Sequence, residues 1–121
     1  MDDVLIATKD LTKTYGLGEA SVRALDGVNL AVDRGELIAI MGPSGCGKST
    51  LLNMLGALDQ PTSGEVLVEN VNLGALSDRQ RTLFRLRRLG IIFQEYNLLP
   101  TLSARENVAL PLLVDGQNPD Q

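Results

Sequence analysis

One short stretch constrains the fold of this chain more than any other, the run GELIAIMGPSGCGKSTLLNMLG at residues 35–56. An almost wholly apolar run, ELIAIM, leads into a loop of the pattern Gly-x4-Gly-Lys-Ser/Thr that begins at Gly42. A run with the apolar spacing of a helix follows the loop. Apolar strands of this kind are typical of parallel sheets buried on both faces. The order strand, glycine loop, helix therefore predicts an α/β fold whose loop wraps a phosphate group.

The residue types of this loop suit a phosphate ligand. Glycines allow a tight curl that turns backbone N–H groups inward, and the helix that begins near Lys48 adds the positive end of its dipole. We expect Lys48 to contact the β- and γ-phosphates of a nucleotide and the Ser49 hydroxyl to contact Mg²⁺. The alternative is a glycine-rich turn with an exposed lysine. The expected nucleotide-contacting residues of the loop are Gly42, Pro43, Ser44, Gly45, Cys46, Gly47, Lys48, Ser49 and Thr50.

Cys46 is the only cysteine of the chain and lies inside this loop. It is either a small residue at a variable position or a reactive thiol close to a helix N-terminus. The second interpretation predicts that bound nucleotide blocks alkylation of Cys46.

The rest of the chain predicts strands mixed with helices. Patterning and turn residues predict strands at 4–8, 36–41, 65–73 and 89–94, and a hairpin of 22–25 with 28–32 that turns at Asp26-Gly27. A second turn is expected at 33–35, and a helix at 48–58. Capping boxes at Ser77 and Ser103 predict two more helices, the first running to about residue 88 and the second ended by Pro111.

Composition narrows the functional classes. The 121 residues suit one domain, and a net charge of −4 argues against a general nucleic-acid binder, which would show a basic footprint. One cysteine excludes an internal disulfide, which fits a reducing compartment. The acidic N-terminus lacks the features of a signal peptide, and the apolar runs are far shorter than the ~18 residues of a membrane span. We therefore expect a soluble, cytoplasmic chain that reaches a membrane only through a partner.

The stretch MGPSGCGKSTLLNMLGALDQPTSGEV resembles the Walker A region of ATP-binding-cassette (ABC) ATPases. Tyr15, in LTKTYG, resembles the aromatic residue that stacks on adenine in that family, and Gln94, in GIIFQ, resembles its Q-loop glutamine. The segments LSDRQRTLFRLRRLGIIFQEYNLLP and NLLPTLSARENVALPL are similar to the lipoprotein-release and macrolide-export subgroup. Taken without the resemblance, Tyr15 is a half-buried tyrosine that closes a turn, and Gln94 is an ordinary glutamine at the end of a strand.

The resemblance implies a P-loop NTPase core with an N-terminal antiparallel β subdomain, which binds ATP and Mg²⁺. It assigns Lys48 and Gln94 to catalysis, Ser49 and Gln94 to the metal, and Tyr15 to the base. It also implies a transmembrane permease subunit as partner, a nucleotide-dependent homodimer of the intact domain, and a location on the cytoplasmic face of the plasma (inner) membrane. No nucleic-acid partner is expected.

The resemblance covers residues 1–121, which correspond to the first half of the family's domain. The signature sequence, the Walker B strand and the switch histidine have no counterpart, and the chain contains no histidine. We therefore expect a domain truncated before its helical subdomain, with weak nucleotide binding at best and no useful hydrolysis by this chain alone. Two other classes remain open: a GTPase or nucleotide kinase, and a non-catalytic fragment that binds a transporter partner.

Five arginines crowd residues 79–88, and Arg81, Arg85 and Arg88 share one helical face. Two interpretations of these arginines remain open. They form a solvated helix face, or they contact a transporter subunit or acidic lipid headgroups. The resemblance places the edge that receives the permease at residues 94–100. The nearby leucines suit either that edge or the core.

Overall fold

A computed structural model of the chain describes residues 3–43, 45–94 and 97–116. Within these residues, four strands form one antiparallel sheet of order β2-β1-β3-β4. The strands are β1 (Val4–Tyr15), β2 (Val22–Asp33), β3 (Ser63–Val68) and β4 (Val71–Asn72). The described α-helices are α1 (Lys48–Leu55), α2 (Asp78–Arg88) and α3 (Ala104–Val114), and single 3-10 turns lie at Gly18–Ala20 and Leu73–Ala75.

The long hairpin of β1 and β2 is the centre of the sheet. Its chain reversal lies at residues 16–21, so the prediction of a hairpin that turns at Asp26-Gly27 is wrong. Gly27 instead lies inside β2 with φ +68°, next to shifts in the pairing with β1, and its N–H donates to the Thr12 hydroxyl at 3.1 Å. A bulge and a tight turn both favour a glycine with positive φ, and here the bulge accounts for it. β1 also continues well beyond the predicted strand at 4–8.

The predicted single strand at 65–73 is two strands. β3 ends at Val68, the chain turns at Glu69 and Asn70 with φ of 51° and 63°, and Val71 pairs back onto Val68. Two successive residues with positive φ are the geometry of the tight hairpin turn that matches the twist of the strands.

One face of the sheet packs on α1. Leu11 of β1 and Val66 of β3 are fully buried against Met54 of α1, and Phe84 of α2 packs at the margin of the same cluster. The buried members of this core are Leu11, Leu25, Leu51, Met54, Ala57, Val66, Val68 and Leu73. The helix predicted at 48–58 is confirmed, although it ends at Leu55, and it contributes Leu51 and Met54 to the core.

The two predicted parallel strands, 36–41 and 89–94, do not form in the described structure. Leu37 is 98% exposed and Ile92 is 100% exposed, while Ile40 packs against the margin of the core. A parallel strand needs a neighbour to pair its backbone groups, and the described sheet offers none to either segment.

Both predicted capping boxes are confirmed, at Ser77 for α2 and at Ser103 for α3. The prediction that Pro111 ends the last helix is wrong, because α3 continues to Val114. The missing N–H of Pro111 removes one helical bond, while its carbonyl still accepts from the N–H of Asp115 at 3.1 Å. The turn expected at 33–35 is present, with Gly35 at φ +76°.

Candidate phosphate-binding site

The glycine loop connects the exposed segment 36–41 to α1, and Gly47 fixes it against the sheet. Gly47 is the N-cap of α1 with φ +97°. A Cβ on Gly47 would lie 2.5 Å from the carbonyl oxygen of Ala24 in β2, far inside contact distance. Because the neighbouring atom belongs to a strand backbone, only glycine fits at this position.

The other end of the loop curls back on itself. The N–H of Cys46 donates to the carbonyl of Pro43 at 3.3 Å, and a Cβ on Gly42 would lie 2.6 Å from the Cys46 sulfur. Gly45 has φ +83° with no atom within 4 Å of an added Cβ. The loop is therefore a tight cradle in which glycine is required for space at Gly47 and for backbone conformation at Gly45 and Gly47, while a side chain at Gly42 would displace the Cys46 thiol. Ser44, which we also expect to contact nucleotide, lies outside the described residues.

The start of α1 is suited to an anion. Among the described residues no side chain caps the helix at Gly47, and its first turn carries no acidic residue. The first intrahelical bond is the donation from Leu51 N–H to the Gly47 carbonyl at 2.9 Å. The N–H groups of the first turn and the positive end of the helix dipole thus face the loop without a competing carboxylate. This arrangement fits the phosphates of the nucleotide that the sequence predicts.

Lys48 and Ser49 begin this helix. The half-buried Lys48 side chain folds across the loop, and its Nζ donates to the carbonyl of Gly42. The Ser49 side chain is exposed, and Thr50 is half-buried. The structure therefore brings the predicted lysine to the loop mouth and leaves a hydroxyl exposed next to it.

Tyr15 ends β1 at the same end of the hairpin as the loop contact. It pairs with Val22, and the neighbouring pairs Lys13–Leu25 and Thr14–Arg23 bracket Ala24, the residue against which Gly47 lies. The ring is 43% exposed, and its hydroxyl donates to Asp59 Oδ2 at 3.2 Å. The hairpin therefore brings Tyr15 and the loop to one end of the sheet.

Gln94 is not joined to the loop. It is exposed at the end of the unpaired segment 89–94, and within the described ranges it makes no hydrogen bond with Ser49 or any other loop residue. The metal pair predicted from sequence, Ser49 with Gln94, is not assembled by a direct contact here.

The sequence interpretation missed Asp59, which lies just after α1. Its carboxylate accepts hydrogen bonds from the Tyr15 hydroxyl, from Lys13 Nζ at 3.5 Å and from the N–H of Gln60 at 2.8 Å. Burial acts to raise the pKa of Asp59, but the Gln60 N–H, the charge of Lys13 and the Tyr15 hydroxyl together lower it below its ordinary value. An acidic residue four positions after a helix end is only a faint signal, because its partners on β1 are 44 and 46 residues away.

Part of the arginine face of α2 packs within the fold, which corrects the interpretation of a solvated helix face. Contact of the exposed arginines with a transporter subunit or acidic headgroups stays a prediction. Arg81 is 7% exposed and pairs with Asp78, Arg85 donates to the Ala57 carbonyl at 2.6 Å, and Arg88 pairs with Glu69. Helical spacing correctly gave their shared face, yet that face lies against the segments that follow α1 and β3 and is not simply solvated.

Three comparisons with known proteins agree on one family. The family model described as ABC transporter matches residues 25–121. The ABC transporter ATP-binding protein MJ0796 of Methanocaldococcus jannaschii is 50% identical over 109 residues, which cover 90% of this chain and 46% of that protein. The lipoprotein-releasing system ATP-binding protein LolD of Colwellia psychrerythraea is 46% identical over 109 residues, covering 90% of this chain and 42% of LolD. The macrolide export ATP-binding/permease protein MacB of Hyphomonas neptunium is 47% identical over 116 residues, covering 96% of this chain and 18% of MacB.

Solved structures show the same likeness. A dimeric structure of MJ0796 in a post-hydrolysis state, bound to ADP and Pi, matches with a TM-score of 0.86 and 48% identity, covering 91% of this chain and 47% of that one. A second dimeric structure of MJ0796 matches with a TM-score of 0.88 and 47% identity, covering 94% of this chain and 49% of that one. The chain thus spans less than half the length of these relatives. Over the described ranges, none of the helices has the length and apolar character needed to cross a membrane.

Proposed function

This chain belongs to the ABC transporter family, and we propose that its loop at residues 42–50 binds the phosphates of MgATP. The observation that carries the proposal is the cradle itself. Gly47 is held against the β2 backbone, and it opens a helix whose first turn has neither a side-chain cap nor an acidic residue among the described positions. A loop that only reversed the chain would need neither feature.

Lys48 is the residue that changes partner when nucleotide binds. Its ammonium donates to the carbonyl of Gly42, a neutral acceptor on the loop rim. The phosphate groups are negatively charged, and their oxygens form stronger hydrogen bonds with a cation than a neutral carbonyl does, so we infer that Lys48 moves to the β- and γ-phosphates. We propose that the exposed Ser49 hydroxyl holds Mg²⁺, and bound Mg²⁺ would neutralise charge on the phosphate oxygens.

Tyr15 and Gln94 complete the proposed site. The exposed part of the Tyr15 ring is available to stack on the adenine base. Gln94 would hold Mg²⁺ and orient the attacking water, as the family resemblance implies. Because Gln94 lies at the end of an unpaired segment, we propose that it reaches the site only when the segment at 89–94 pairs into a sheet.

The activity of the whole protein is a further proposal, since the chain spans less than half of its relatives. We propose that the complete domain hydrolyses ATP between two copies and powers a transmembrane permease. The protein would then lie at the cytoplasmic face of the plasma (inner) membrane. The MJ0796 structures are dimers, and the names of LolD and MacB state lipoprotein release and macrolide export for those relatives.

Isothermal titration calorimetry of the 121-residue chain with MgATP tests the proposal. We expect Lys48→Ala to weaken binding by about 10- to 100-fold, because it removes a charged hydrogen bond of about 1.5–3 kcal/mol. Arg79→Ala is the matched control, since Arg79 is an exposed cation on α2 and not part of the loop. Circular dichroism of each variant checks that the fold is intact.

Two results would contradict this function. Equal MgATP affinity in the wild-type chain and Lys48→Ala would refute the assignment of the loop as the phosphate-binding site. A preference for MgGTP over MgATP would favour a GTPase-type P-loop protein. Capture of a permease by the chain that survives Lys48→Ala would instead support a non-catalytic binding role.

A further inference from the structure

The five residues 56–60 that follow α1 are held on one side by β1, and Asp59 lies at the centre of that contact. Lys13 Nζ lies 2.8 Å from the Gln60 carbonyl and 3.5 Å from Asp59 Oδ1, and the Tyr15 hydroxyl donates to Asp59 Oδ2 at 3.2 Å. The N–H of Gln60 also donates to Asp59 Oδ1 at 2.8 Å. Each carboxylate oxygen therefore has a defined donor, and one of those donors is the tyrosine proposed to face the base.

The Tyr15 ring is restrained at a second point. Lys13 and Tyr15 are two residues apart on β1, so their side chains leave the strand on the same side. Lys13 Nζ lies 5.1 Å from the centroid of the Tyr15 ring, within the range of a cation–π contact. Because the same ammonium is fixed by the Gln60 carbonyl, it holds one face of the ring while Asp59 holds the hydroxyl.

On its other side the segment is held by α2. Arg85 donates to the carbonyl of Ala57 at 2.6 Å, and Ala57 is almost fully buried with φ +57°. The buried Arg81 lines a cavity of about 530 Å³, which Ala57 and Arg85 also line. Residues lining that cavity include Lys13, Asp59, Asp78, Arg81 and Arg85. Asp59 is thus anchored to the rest of the fold, so its hydrogen bond can fix the position of the Tyr15 hydroxyl.

We propose that Asp59 is a positioning residue that, together with Lys13, holds the Tyr15 ring in the orientation that stacks on the nucleotide base. The inference rests on the proposed function, since it needs Tyr15 to face the base. Tyr15 lies at the exposed end of a hairpin, where an unrestrained side chain would sample several rotamers and lose entropy on binding. Restraint by Asp59 removes that loss before nucleotide arrives.

The lowered pKa of Asp59 supports this role. A depressed carboxyl pKa means that the contact is complete above the ordinary Asp value and is lost as the pH falls through the folded-state value. The groups that face this carboxylate are Lys13 and Tyr15 of β1 and the Gln60 N–H, with Asp78, Arg81 and Arg85 of α2 lining the same cavity. The contact therefore stays intact at neutral pH.

Tyrosine fluorescence tests the contact without any ligand. The chain has two tyrosines and no tryptophan, so a Tyr96→Phe background leaves Tyr15 as the only source of tyrosine emission. A carboxylate that accepts from a phenol quenches its emission. We expect Tyr15 emission to rise as acid protonates Asp59, and Asp59→Asn to raise the emission at neutral pH and abolish the acid step. Asp26→Asn, which alters an exposed ion pair with Arg23, keeps the step. An acid step that persists in Asp59→Asn overturns the proposal.

Measurements of nucleotide affinity distinguish this inference from the proposed function on which it rests. We compare MgATP with magnesium tripolyphosphate, which has no base. Tyr15→Ala is expected to lower MgATP affinity by about 5- to 100-fold and Asp59→Asn by about 2- to 5-fold, with tripolyphosphate affinity unchanged in both. If Tyr15→Ala alone lowers MgATP affinity, the role of Asp59 is refuted while the stacking role stands. If Tyr15→Ala has no effect, or the wild-type chain binds neither ligand, the proposed function fails, and the fluorescence titration still decides whether Asp59 holds Tyr15.

Discussion

Replacement of Gly47 by alanine tests the geometry on which the phosphate loop depends. Gly47 has φ +97°, and a Cβ built on it would lie 2.5 Å from the Ala24 carbonyl oxygen and 3.3 Å from Leu25 Cδ2. The leucine methyl can move by a few tenths of an ångström, but the carbonyl is part of the β2 backbone and cannot move away as the end of a flexible side chain can. Alanine at position 47 must therefore push α1 and the loop away from the hairpin.

The magnitude has two parts. Holding alanine in a left-handed backbone conformation costs about 1–2 kcal/mol. Forcing an extra carbon into a packed contact costs about 1–3 kcal/mol more. We expect Gly47→Ala to lower the free energy of unfolding by about 2–5 kcal/mol, which is a large share of the roughly 5–15 kcal/mol typical of a domain.

Urea unfolding followed by circular dichroism measures this change, and Gly45→Ala is the matched control. Gly45 has φ +83° but no atom within 4 Å of an added Cβ, so it should cost only the backbone term of about 1–2 kcal/mol. The difference between the two variants isolates the contact with Ala24. Equal destabilisation by Gly45→Ala and Gly47→Ala would refute the argument that the loop is pressed against β2.

Three further outcomes follow from the described contacts. Alkylation of the exposed Cys46 should slow when MgATP is present, and equal rates with and without nucleotide would contradict a phosphate ligand in the loop. Backbone and side-chain hydrogen bonds from Ser103 lower the pKa of Glu106, so the cap of α3 is complete above the ordinary Glu value and is lost as the pH falls through the folded-state value. Helicity measured by circular dichroism should show this acid loss, and Glu106→Gln should lack it. Arg85→Ala should lower the free energy of unfolding by about 1–2 kcal/mol, whereas the exposed Arg79→Ala should change it by no more than about 0.5 kcal/mol in urea titrations.

Features set by neighbouring residues were predictable from the sequence. The capping boxes at Ser77 and Ser103 join residues three apart, and both are formed as expected. The loop glycines likewise follow from a local pattern, and Lys48 lies where that pattern places it. Such features depend on short stretches of chain, so a sequence pattern specifies them almost completely.

Features set by distant residues were not predictable. Gly27 fits a turn or a bulge equally well, and only the register of β1 against β2 decides in favour of the bulge. The spacing of Arg81 and Arg85 gives a shared face, but not the Ala57 carbonyl that Arg85 contacts 28 residues away. The role of Asp59 was not predictable for the same reason, since a single acidic residue forms no sequence pattern with partners 44 and 46 residues away.

The phosphate loop and the apolar run before it show both cases side by side. The loop keeps its curl because its constraints lie among its own described residues and at the contact of Gly47 with Ala24 and Leu25 of β2. The run at 36–41 has the composition of a buried strand, yet Leu37 is exposed because the described sheet provides no neighbour for it. The conformation of the loop and the formation of the preceding strand therefore have separate requirements in this chain. The Gly47 contact with β2 is what allows the loop to keep its shape while the strand that leads into it stays unpaired.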